Sequence, residues 1–145
     1  MPLYTISEAQ IRDGCKRAIE GLELWLRRLI DTKLTEAYGQ DYLDAQKADG
    51  NRVINSSLHR ALSERRSQEP ARFVRPIDAA FLADQIKIIC NPTLYRDLFA
   101  DALSDIFPQG NDSARTFLSR LVTPRNALSH ANPVSVHDAY RVLCY

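Results

Sequence analysis

Residues Ser7 to Gly39 read SEAQIRDGCKRAIEGLELWLRRLIDTKLTEAYG, and the spacing of their apolar side chains decides the fold. Ile11, Cys15, Ala18, Ile19, Leu22, Leu26, Leu29, Ile30, Leu34 and Ala37 recur at three- and four-residue intervals. That spacing stacks them on one face of an α-helix. Ser7, with Gln10 three residues later, is a capping-box signature. Gly39 offers the left-handed conformation on which helices end. The stretch predicts one amphipathic helix of about eight turns, with Trp25 widening its apolar stripe.

Downstream the pattern stays helical, in shorter pieces. Residues 40–51 have little core-forming content and read as a loop or a short helix. A helix over Arg52 to Arg66 would bury Val53, Ile54, Leu58, Ala61 and Leu62. An arginine-studded connector with Arg65, Arg66, Arg72 and Arg75 follows, broken by Pro70 and Pro76. Pro76 suits the first turn of a third helix carrying Ile77, Ala80, Phe81, Ile86, Ile88 and Ile89. Cys90-Asn91-Pro92 stops it, and Asn91 caps a fourth helix with Leu94, Leu98, Phe99, Ala102, Leu103 and Ile106 inward. Asp112 or Ser113 caps a fifth, with Phe117, Leu118, Leu121 and Val122. Pro124 interrupts that helix. Ser135 opens a last one with Val136, Ala139, Tyr140, Val142 and Leu143. The expectation is an all-α bundle of five to six helices in a single domain spanning 1–145, the N-terminal part of a longer protein.

Composition narrows the function. A chain of 145 residues can bury a core without disulfides. The formal net charge of +1 argues against a DNA-coating protein, and no short basic helix suits a helix-turn-helix reader. Of the 19 basic residues, 15 are arginine, the better partner for planar contact with phosphates or carboxylates. Coding bias toward arginine is the plain alternative. Cys15, Cys90 and Cys144 lie far apart, fitting thiols in a reducing compartment and neither a disulfide framework nor a zinc site. Neither signal peptide nor membrane span is legible. A cytoplasmic protein without metal or cofactor is expected.

Pro124-Arg125-Asn126-Ala127-Leu128-Ser129-His130-Ala131-Asn132-Pro133 carries the candidate chemistry. A histidine that titrates near neutrality can take a proton from a ribose 2′-OH and return one to the leaving oxygen. A permanently charged, fork-shaped arginine can hold the phosphate and stabilise the charge building on it. The plain alternative is an exposed arginine at a helix start and a histidine capping a helix end. His137 and His59 read as surface residues, and the arginine connector as a solvated charged face.

The segment from Pro76 through Pro133, with its Asn-centred break at Cys90-Asn91-Pro92 and the R-N-x-x-x-H string, resembles the HEPN superfamily, closest to its Swt1-type branch. The long first helix is compatible with that likeness. The resemblance implies a metal-independent endoribonuclease of a defence or toxin-like system, leaving a 2′,3′-cyclic phosphate and a 5′-hydroxyl. Arg125 would polarise the scissile phosphate, His130 would serve as general base or acid, and Asn126 would orient one of them. It also implies a homodimer. Residues five apart on a helix point about 140° from one another, so two copies across a two-fold axis would complete one cleft. The second implication is a non-catalytic HEPN module that dimerises or docks a larger protein, because Swt1-type domains commonly occur as accessory modules. Pro124 directly before the arginine departs from the family's continuous helix.

Overall fold

The computed structural model describes residues 8–47 and 50–129, with side chains from residue 9 to Asn126. Its architecture is an all-α bundle. Helix α1 runs from Glu8 to Tyr38 and stops at Gly39, whose φ of +86° only glycine adopts at no cost. Cys15, Ile19, Leu26, Ile30 and Leu34 face the core, as their spacing demands. Trp25 does not widen the stripe: it is 45% exposed, and Ala18 and Ala37 also face solvent. The Ser7 end of the predicted capping box lies outside the described residues.

Tyr42 and Leu43 form a buried one-turn 3-10 helix (Tyr42–Asp44) below the end of α1. One isolated antiparallel bridge, Gln46 to Arg52, closes the loop after it. Helix α2 spans Ser56–Gln68. Asn55 caps it through its side-chain oxygen, 2.8 Å from the Ser57 amide nitrogen. The expected start at Arg52 is four residues too early, because Val53 and Ile54 enter the core from the loop instead.

Pro76 starts a single 3-10 turn, Pro76–Ala79, and not the whole third helix. The chain is extended at Ala80 and Phe81 before α3, Leu82–Ile89, begins. Asp84 makes that restart. Its carboxylate accepts the Phe81 amide at 3.0 Å, so the helix begins where its first donors are satisfied. Asn91 caps α4 (92–103) through the Thr93 and Leu94 amides. Within α4 the stretch Tyr95–Phe99 is a π-turn. That wide turn brings Tyr95 into the core while Leu98, expected there, packs half-buried against it; past the helix end Ile106 is 58% exposed and Phe107 is buried. Helices α5, Asn111–Ser119, and α6, Val122–Ser129, close the bundle, with α1 packed on α3 and α6. Gly110 precedes α5 at φ +97°, two positions ahead of the first of the predicted caps, Asp112 and Ser113. The expected helix after Ser135 lies outside the described residues.

Two of the connector arginines are clamps, Arg65 on Asp84 and Arg75 on Asp31, while Arg66 and Arg72 are exposed. Arg75 holds Asp31 of α1 with two bonds of 2.7 and 3.0 Å, and Tyr42 donates to the same carboxylate at 3.1 Å. Burial pushes the Tyr42 phenol up, keeping it a donor. The bond from Arg75 holds the Asp31 carboxyl below its ordinary 3.8. A lowered native pKa means that the folded chain binds fewer protons than the unfolded one. The contribution is therefore present above pH 3.8 and lost as pH falls below it toward the native value. Urea midpoints between about pH 5 and 3 should fall less steeply for Asp31→Asn than for wild type. Equal slopes would assign the acid limb to other carboxylates.

Candidate functional site

Arg125 sits in the second turn of α6. The chain turns at Arg120 and Leu121 and restarts at Val122, so the predicted interruption occurs, two residues before Pro124. Pro124 is the third residue of the new helix, where a missing N–H removes no intrahelical bond. The Arg125 amide already donates to Leu121 at 3.0 Å. Buried Pro124 thus starts the helix without distorting the residue that follows.

The Arg125 side chain turns inward against α1. Its Nε donates to Glu23 Oε1 at 2.5 Å, and the two side chains are 14% and 12% exposed. The guanidinium carbon lies 4.4 Å from the centre of the Phe81 ring, within cation–π range. Among the described residues, no other hydrogen bond reaches this guanidinium. One edge and one face are fixed, and the two Nη groups keep their donors.

Glu23 is itself held in place. Gln85, fully buried on α3, donates through Nε2 to the Glu23 carbonyl at 3.0 Å and to the Ala80 carbonyl at 3.2 Å. Arg27, one turn along α1, donates to the same Ala80 carbonyl at 2.9 Å, while its buried Nε has no partner among the described residues. The extended break before α3 therefore exposes the one carbonyl that ties α1 to Phe81. A cleft of about 450 Å³ opens over this floor, with Lys16, Arg27, Arg72 and Arg125 against Glu20, Glu23 and Asp78. Asp78 is committed elsewhere, accepting the Arg75 amide at 2.9 Å.

Phe81 gathers further cations. The Arg65 and Arg72 guanidinium carbons lie 4.9 and 5.9 Å from its centre, and Arg72 stands 4.8 Å over Phe73. Arg65 is neutralised by Asp84 at 2.5 Å. Arg72 meets only exposed Glu69, at 3.4 Å. Asn126 is exposed, about 100° around α6 from Arg125. His130 lies outside the described residues, as do His137, Tyr140 and Tyr145. His59 is not in the cleft: its Nε2 is 2.8 Å from Asp44 on the far side of α2.

Phe81 was read only as an apolar residue of the third helix, and Glu23, Arg27 and Gln85 were not singled out from sequence. Their signal is charge and amide on core faces: Glu23 and Arg27 flank Leu26 in the apolar stripe, and Asp84-Gln85 interrupts an apolar run. A buried carboxylate on a core face needs a cation. Glu23→Ala is expected to destabilise the fold by about 2–3 kcal/mol, below the 3–5 of a fully buried pair because the cleft admits water. Paired with Arg125→Ala, a double-mutant cycle in urea should give a coupling of about 2 kcal/mol. A coupling within about 0.5 kcal/mol of zero would mean that water satisfies Arg125.

Two other cavities are plainer. One, of about 650 Å³, is largely apolar and lies between α2, α3 and α5; the other borders the Asp31–Arg75 clamp. Among the described residues, no group of three or more His, Cys, Asp or Glu side chains could hold a metal ion. No helix there is long and apolar enough to cross a membrane. Cys15 and Cys90 are buried, and burial pushes the Cys90 thiol up, away from thiolate chemistry. Comparison with family models, with curated proteins and with solved structures found no match for this chain.

Proposed function

We propose that this chain is a HEPN-type endoribonuclease module that cleaves RNA without metal, as a homodimer, in a cytoplasmic defence or toxin-like system. One observation carries the reading. Arg125 lines the cleft, held on Nε by Glu23 and on its face by Phe81, and among the described residues no hydrogen bond takes up its two Nη groups. A guanidinium fixed in this way loses little rotamer freedom when it grips a phosphate with two parallel bonds.

In the proposed reaction His130 takes the proton of the ribose 2′-OH, and the 2′ oxygen attacks the adjacent phosphorus. The P–O5′ bond breaks. The departing oxygen receives a proton, leaving a 2′,3′-cyclic phosphate and a 5′-hydroxyl. Arg125 bears the extra negative charge of the transition state. Asn126, exposed beside it, orients Arg125 or His130. The partner copy supplies the second Arg125 and His130 pair. A further domain beyond Tyr145 fits the same reading as the part that presents RNA or controls cleavage.

A second reading has its own support. Arg125 is only 14% exposed and its charge is matched by Glu23, which suits a non-catalytic HEPN interaction module. The two separate in one experiment: cleavage of single-stranded RNA in EDTA by the purified chain, beside Arg125→Ala and His130→Ala. Cyclic-phosphate ends that both variants lose support the ribonuclease. Intact RNA throughout, with the dimer preserved, supports the module.

A further inference from the structure

The charges around Phe81 are unequally compensated. Arg65 has Asp84 and Arg125 has Glu23, each at 2.5 Å and largely buried. Two further cations, both lining the cleft, are looser. Arg72 is 60% exposed and 3.4 Å from Glu69, itself 52% exposed; Lys16 is 60% exposed and 4.0 Å from Glu20. Exposed pairs of this kind contribute little and are readily exchanged for a better anion. Lys16 comes from α1 and Arg72 from the connector after α2, so the two cations reach the mouth from separate segments. Arg125 lines the same cleft, and the buried Arg27 Nε has no hydrogen-bond partner among the described residues.

We propose that Lys16 and Arg72 form a phosphate-binding rim that holds the sugar-phosphate backbone of a single RNA strand over Arg125. This deepens the ribonuclease reading and takes its class of ligand from it. The rim supplies positioning, not catalysis. Each cation contacts a phosphodiester flanking the one that Arg125 grips, and each gives up its exposed carboxylate partner on binding. Stacked against Phe73 and near Phe81, the Arg72 guanidinium is prepositioned for planar contact.

The test is equilibrium binding of a short, labelled, fully 2′-O-methylated single strand, which cannot be cleaved because its 2′ oxygens are blocked. Wild type is compared with Arg72→Gln, Lys16→Gln and Arg96→Gln. Arg96 lies on α4, is 74% exposed, and does not line the cleft. Each rim variant should bind about tenfold more weakly, the scale of one charged hydrogen bond. Each should also lower the dependence of log affinity on log salt by about 0.7, the single-strand value for one lost phosphate contact. Arg96→Gln should bind like wild type. Unchanged binding in both rim variants overturns the proposal, as does an equal loss in Arg96→Gln. Inorganic phosphate that displaces the strand at equal phosphate concentration overturns the strand assignment. Rim-dependent binding with no cleavage by wild type would sink the ribonuclease reading and leave this site standing. Cleavage with unchanged rim-variant binding would do the reverse.

Discussion

Arg125→Ala is expected to lower RNA cleavage in EDTA by about two to three orders of magnitude, the cost of removing one charge-stabilising donor from a transition state. The geometry makes the loss larger than a distant cation could produce. Glu23 and Phe81 fix the guanidinium before substrate arrives, so its two remaining donors need no reorganisation as charge builds. Arg125→Lys should recover less than about tenfold of the loss, because an ammonium has no Nε for Glu23 and no second edge for a phosphate. His130→Ala tests the same proposed chemistry at the other residue of the motif, and should cost about two orders of magnitude or more. If Arg125→Ala cleaves within about threefold of wild type while folded, the guanidinium is a structural clamp and the charge of the transition state is borne elsewhere.

The parts of this arrangement were unequally legible. Helix α1 was plain because its pattern is local: a stripe of aliphatic residues over many turns admits one period, and only its two alanines and Trp25 were misplaced. Alanine and tryptophan are the ambiguous cases, one too small to need burial and the other too large to be hidden easily. The break before α3 was not visible. Its cause is Asp84 accepting the Phe81 amide and meeting Arg65, a contact across 19 residues that no local rule contains. The same holds for the connector. A run of arginines looks solvated until Asp31, Asp84 and the Val74 carbonyl are brought to it by the fold. Arg125 was legible as a motif residue, but its partner Glu23 lies 102 positions away. What could have pointed to Glu23 was its place on the core face of α1, where a carboxylate needs a cation.

Phe99→Ala is expected to cost the fold about 3–5 kcal/mol, the range for emptying an aromatic site in a packed core. Phe99 is fully buried, and it closes the π-turn that rephases α4. In a regular α-helix, Leu98 and Ile106 would share the face with Leu94 and Leu103. The wide turn brings Tyr95 inward and leaves Leu98 half-buried, while Phe107 is buried from the turn after α4. Two outcomes are therefore physically distinct. If the wide turn is held by the rest of the core, the ring leaves a cavity and the full cost appears as a lower urea midpoint with an unchanged slope. If Phe99 alone holds it, the alanine variant slips to regular α register, Leu98 fills the gap, and the loss shrinks below about 2 kcal/mol. Phe107 stacks on Phe117 at 5.3 Å and would have to leave that contact for the slip to occur. An aromatic pair adds about 0.5–1.5 kcal/mol beyond its buried area, and so the turn is expected to hold. Against a typical domain stability of about 5–15 kcal/mol, the full cost would leave the Arg125 cleft on a bundle with little margin.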